Sequence, residues 1–207
     1  MEIQYFGANC VRITTKKASV VSDDNLAKLG LKSVTRPADI GLQTHQGALA
    51  HGAQFVADMP GEYEIADVAI HGVAARGHMD EKGTAGAVIF TVSSGNLKLA
   101  VVGHIYPELS DEQLEQIGPV DVAVVPVGGN GYTLDGTGAL SVIKKLEPKI
   151  VIPTHYADKA IKYEVPQAEL SDALKNLGME VTETVDKLKI KAGELSDTTQ
   201  LIVLNRQ

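Results

Sequence analysis

Residues 120–126, VDVAVVP, decide the fold. A strand with one wet face alternates apolar and polar side chains, whereas a strand covered on both faces reads as a continuous apolar run. Residues 149–153, KIVIP, repeat that signature, and a helical stretch at about 137–146 lies between the two runs. Buried strands joined through helices predict sheets covered by helices rather than an open sandwich.

The N-terminal side of these runs is strand-rich. Residues 2–6, 10–14 and 18–22 bunch or alternate β-formers, with turns at Gly7-Ala8-Asn9 and Thr15-Lys16-Lys17. Further strands are predicted at 38–44, 54–58, 62–65, 68–74, 85–93 and 97–102, the last two joined by the hairpin signal Ser94-Gly95-Asn96. Ser110-Asp111-Glu112-Gln113 is a capping box that opens a helix closed by Gly118-Pro119. Leu170, Ala173, Leu174 and Leu177 form one helical stripe ended by Gly178, and strands near 179–184, 187–191 and 199–204 finish the chain. The expectation is a single compact α/β domain over residues 1–207 with two sheets inside.

Composition narrows the function. The 44% apolar and 22% charged residues are those of a soluble globular protein, and no apolar run is long enough to cross a bilayer. A net charge of −7 argues against a nucleic-acid partner. Residues 1–7, MEIQYFG, lack the pattern of a signal peptide, and the lone Cys10 excludes an internal disulfide, so a reducing cytoplasm is expected. Cys10 reads as a packed side chain. Oligomeric state is left open.

The histidines carry the chemistry. His45, His78, His104 and His155 each follow a predicted strand, and strand ends of layered α/β folds converge on one edge where crevices form. Four imidazoles at one edge can coordinate a divalent ion at about 2.0–2.1 Å. Taken singly, each reads more readily as a hydrogen-bonded structural residue than as a ligand; the repeated placement is what brings the two readings level. His71, inside a strand, and His51, in a loop, read as structural or surface residues.

In order, YFGANCVRI, ADIGLQTHQ, PGEYEIADVAIHGV, the Gly103-His104 pair, SDEQLEQIG, VDVAVVPVGG and PKIVIPTHY resemble the metallo-β-lactamase superfamily over most of residues 1–157. More narrowly, the chain is similar to small Zn-dependent hydrolase-like proteins of the ascorbate-6-phosphate lactonase type. The resemblance implies an αββα sandwich, two central sheets with helices outside, and hydrolase ancestry. It also implies a His-x-His-x-Asp-His metal loop. His45 stands at that loop's first histidine, but Gly47, Leu49 and Ala50 replace the second histidine, the aspartate and the adjacent histidine, and His51 falls one residue late. His78 and His155 match later metal histidines, His104 replaces the aspartate of a Gly-Asp motif, and the Asp-Pro after the third strand is Asp23-Asp24.

Leu49 and Ala50 offer no lone pair, so a two-ion clamp cannot assemble. The expectation is at most one ion, Zn²⁺ or another divalent transition metal, held by His45, His78, His104 and His155, or no ion at all. No residue is singled out as the catalytic group. Glu62 of Pro60-Gly61-Glu62-Tyr63-Glu64 is a candidate substrate contact, though it reads more readily as an exposed strand edge; Tyr132 and Tyr156 face a substrate or pack. Two functions stand: a hydrolase of small esters, lactones or phosphate-bearing molecules, and a catalytically silent module binding a small molecule or protein.

Overall fold

The structure, a computed structural model, describes residues 1–47 and 52–207. Its strands, in chain order, begin with β1 (Glu2–Gly7), β2 (Cys10–Thr14), β3 (Ser19–Ser22), β4 (Ile40–Leu42) and β5 (Phe55–Ala57). Then follow β6 (Gly61–Ile65), β7 (Val68–Ala75), β8 (Ala87–Ser94) and β9 (Leu97–Val101). Helix α1 (Asp111–Ile117), β10 (Val122–Pro126), α2 (Gly136–Leu146), β11 (Ile150–Thr154) and α3 (Leu170–Leu177) alternate, and β12 (Val181–Val185), β13 (Leu188–Lys189) and β14 (Gln200–Leu204) close the chain. No described helix is long and apolar enough to cross a membrane.

Two sheets result, ordered β13-β1-β2-β3-β4-β5 and β12-β14-β11-β10-β9-β8-β7-β6. Their inner faces meet in one core. Val122, Val124, Ile150 and Ile152 of the larger sheet pack there with Ile3, Val11, Ile13 and Ile40 of the smaller. Ala123, Val125 and Val151, on the opposite face of the same strands, pack against Ala139, Val142 and Ile143 of α2 and Ala173 and Leu177 of α3. Burial on both sides is the physical content of the continuous apolar runs. The capping box is formed: Gln113 N–H donates to Ser110 Oγ at 3.2 Å, and Ser110 N–H donates to Gln113 Oε1 at 2.8 Å.

The layers match the expected sandwich, with one difference in how they are covered. The helices pack on the larger sheet, while the outer face of the smaller is covered by the turn-rich segment 24–39. Cys10 and Val21 are buried there under Leu26, Leu31 and Val34. A charge, not a helical stripe, pins that segment. Arg12 points outward from β2, and its guanidinium donates to Asp39 Oδ1 at 2.9 Å, Ser19 Oγ at 2.8 Å and the Val34 carbonyl. Asp24 gathers Ser33 Oγ, the N–H groups of Val34 and Thr35, and Thr35 Oγ1 on one carboxylate oxygen.

β9, β10 and β11 run parallel, and two antiparallel steps through β8 bring β7 into the same direction. Their C-terminal ends therefore share one edge. β4 of the other sheet reaches that edge too, because Val88 N–H donates to the Thr44 carbonyl at 2.8 Å and His45 bridges to Ala87.

Candidate metal centre

Each of the four strand-end histidines is delivered by its own backbone device. Gly103 has φ +69, and a Cβ there would stand 2.5 Å from Thr44 Cβ and Oγ1. Only glycine allows the end of β9 to pass that close to the end of β4, which sets His104 beside His45 at 4.2 Å between ring centroids. His78 N–H donates to the His104 carbonyl at 2.8 Å, tying the end of β7 to the same point. His155 follows β11 in the left-handed region, φ +54, and its N–H donates to the Ala8 carbonyl at 2.7 Å.

Three of the rings have their proton placed by a neighbour. His78 Nδ1 faces the Ile105 carbonyl at 3.3 Å, an acceptor only, so Nδ1 carries the hydrogen. Gln167 donates its Nε2–H to the Val165 carbonyl and turns Oε1 to His155 Nδ1 at 3.1 Å, so that nitrogen also donates. Thr44 donates its hydroxyl to Asp23 Oδ2 at 2.7 Å, leaving its oxygen to accept from His45 Nδ1 at 3.3 Å. In each case Nε2 keeps a lone pair. Fixing the distal nitrogen in this way orients a metal-ligating histidine.

His104 is the exception. It is 6% exposed, and neither ring nitrogen has a hydrogen-bond partner among the described residues. His155 stands perpendicular to it at 4.5 Å and Tyr132 meets it edge-on at 5.2 Å. Burial, then the neighbouring His155, His45 and His78, push the His104 pKa well below the ordinary imidazole value. Burial likewise pushes His155 down to about 4, against the opposing effect of its bond to Gln167. Both rings are thus neutral at pH 7, the form that offers a lone pair to a cation.

The residues fit a metal ion on chemical grounds. A buried imidazole with two unsatisfied nitrogens is unfavourable by itself, and an ion would take one of them. Among the described residues, donor atoms of Asp23, His45 and His104 lie within 4.8 Å of one another. His155 and His78 flank this trio. Leu49, Ala50 and His51 lie outside the described residues.

A cavity of about 250 Å³ opens over the centre, lined by His45, His155, Tyr132, Gln167, Lys28 and Lys162 among others. A second cleft of about 510 Å³ is lined by His78 and the 129–131 turn. Of the candidate substrate contacts, Tyr132 lines the first cavity. Glu62 does not reach it: it is exposed on β6 opposite His71, seven residues before His78 in β7, in a groove with Thr91 and Ser93. Tyr156 packs against Tyr5 at 5.7 Å, and burial pushes its pKa up to about 12. Gln167 and Asn9, which hold the site's hydrogen-bond network, carried no sequence signal.

Gly128 precedes the 129–131 turn, and a Cβ on it would stand 2.0 Å from the His155 carbonyl and 2.2 Å from Gln167 Oε1. Gly128→Ala must therefore displace the pair that aims His155. The expected cost is about 1–3 kcal/mol, the usual range for overpacking, read by urea denaturation. An unchanged midpoint would mean the His155–Gln167 geometry is not as tight as described.

A family model described as the β-lactamase superfamily domain matches residues 2–155. A UPF0173 metal-dependent hydrolase of Listeria welshimeri is 22% identical over 230 aligned positions, covering 90% of this chain and 100% of that one. One of Carboxydothermus hydrogenoformans is 46% identical over 67 residues, 32% of this chain and 29% of its own length. Among solved structures, a metallo-β-lactamase superfamily protein of Thermotoga maritima, provisionally assigned as a Zn-dependent hydrolase, superposes with a TM-score of 0.79 at 28% identity. That superposition covers 99% of this chain and 98% of the other.

Proposed function

Because the chain belongs to the β-lactamase superfamily domain family, matched over residues 2–155, we propose that it is a metal-dependent hydrolase with a remodelled one-ion site. His45, His78, His104 and His155 would hold the ion, Zn²⁺ or another divalent transition metal, since an all-imidazole set suits several such ions. The observation that carries this reading is His104, buried with both nitrogens unpaired among the described residues at the meeting point of the strand ends. The relatives described as metal-dependent hydrolases support it.

When bound, the ion would polarise a carbonyl or phosphoryl oxygen and acidify water. The protein's own part is to hold and orient. Thr44, Ile105 and Gln167 hold the rings of His45, His78 and His155 through their Nδ1 atoms, and Tyr132 walls the cavity. A cavity of about 250 Å³ suits a small ester, lactone or phosphate-bearing molecule. The net charge of −7 weighs against nucleic acid, and the single buried Cys10 supports a reducing compartment such as the cytoplasm.

A panel of small esters, lactones and phosphodiesters tests the proposal. Turnover is expected with added Zn²⁺, to be lost with chelator and in His45→Ala. No turnover on any member at saturating Zn²⁺ would favour the second reading, a silent binding module, which the donor-free positions Gly47, Leu49 and Ala50 motivate.

A further inference from the structure

We infer that Asp23 is itself a ligand of the ion and supplies the negative charge that the four neutral imidazoles lack. The inference rests on the one-ion reading above. It starts from a second feature of the site that the histidines do not explain.

Asp23 is 1% exposed at the end of β3, in the left-handed region at φ +43. Its neighbours are neutral donors. Asn9 Nδ2 at 2.6 Å and Thr44 Oγ1 at 2.7 Å donate to Oδ2, and Thr44 N–H donates to Oδ1 at 2.8 Å. Neither Lys nor Arg pairs with it among the described residues. Hydrogen bonds offset part of the cost of burying a carboxylate, and a neighbouring cation would offset more. Its two oxygens offer about four lone-pair positions; three are filled, and the open one is on Oδ1.

The missing cation and the unpaired imidazole are neighbours. The donor atoms of Asp23, His45 and His104 lie within 4.8 Å of one another, yet His104 makes no hydrogen bond to the carboxylate. A structural Asp–His pair would close to about 2.8 Å and satisfy both. Two ligands each about 2.0–2.2 Å from one ion stand up to about 4 Å apart, so a sub-ångström adjustment brings these atoms onto a common centre. One cation answers both features, a charge without a cationic partner and a ring without a bond among the described residues.

Asn9 and Thr44 then act as positioning residues. Asn9 Oδ1 accepts from Thr154 Oγ1 at 2.9 Å, next to His155, so one chain of hydrogen bonds runs from the end of β11 through Asn9 and Asp23 to Thr44.

The test is Zn²⁺ affinity by isothermal titration for the wild type, Asp23→Asn and Asn9→Ala, with a zinc-soaked crystal of the wild type. Asp23→Asn keeps the shape and removes the charge; the expected loss is about 100-fold or more, against about 10-fold or less for Asn9→Ala, which leaves the carboxylate in place. The crystal is expected to show an Asp23 oxygen within about 2.2 Å of the ion, a result that does not depend on any variant folding. Equal losses in the two variants, undiminished affinity in Asp23→Asn, or an ion held by histidines alone would overturn the inference and leave the one-ion site standing. A wild type that binds no Zn²⁺ would overturn both.

Discussion

His104→Leu is expected to stabilise the metal-free protein by about 1–3 kcal/mol, the desolvation cost of buried polar atoms left unpaired. In the same variant, stabilisation by Zn²⁺ is expected to be lost. The opposite signs come from one residue. Without an ion, the two nitrogens of His104, unpaired among the described residues, are a burden that a leucine of similar bulk removes. With an ion at about 100 times its dissociation constant, the native state gains about 2.7 kcal/mol by mass action, and that gain requires the ring. Urea unfolding in chelator and in excess Zn²⁺ measures both. A variant less stable than wild type in chelator, and still stabilised by Zn²⁺, would show that His104 is a structural residue.

Arg12→Met is expected to cost about 3–5 kcal/mol, since it leaves Asp39 buried without its cation. The side chains of the pair are 5% and 4% exposed, so solvent cannot screen the loss. Methionine keeps the apolar stem, which isolates the charge. The damage should spread to the site. Segment 24–39, pinned by Arg12 through Asp39 and the Val34 carbonyl, also carries Asn25, Lys28 and Leu29 of the cavity wall. Urea denaturation reads the stability. A loss under about 1 kcal/mol would mean that Leu26, Leu31 and Val34 hold the segment by apolar contact alone.

What was legible in the sequence is what local pattern controls. β10 and β11 could be read from VDVAVVP and KIVIP because both faces of those strands are buried, which favours apolar residues at successive positions. Helix α1 could be read from its cap. The four histidines could be placed at strand ends because each follows an apolar run. The rest depends on chain segments far apart in sequence. The part Asp23 plays could not be read, because it is set by Asn9 and Thr44, and by a left-handed turn that no periodicity announces. Gln167 reaches His155 on a coil between β11 and α3 that has no repeating pattern. The cover over the smaller sheet was equally silent, being held by Arg12 and Asp24 rather than by an amphipathic stripe. The two carboxylates of PGEYE do share a strand face, but the fold turns that face away from the histidines.

The most direct measurement is elemental analysis of the protein purified without chelator and then dialysed against Zn²⁺. One ion per chain is the expected result, with the same stoichiometry absent from His104→Leu. A wild-type chain that emerges from saturating Zn²⁺ carrying none would contradict the metal centre, and with it the hydrolase reading.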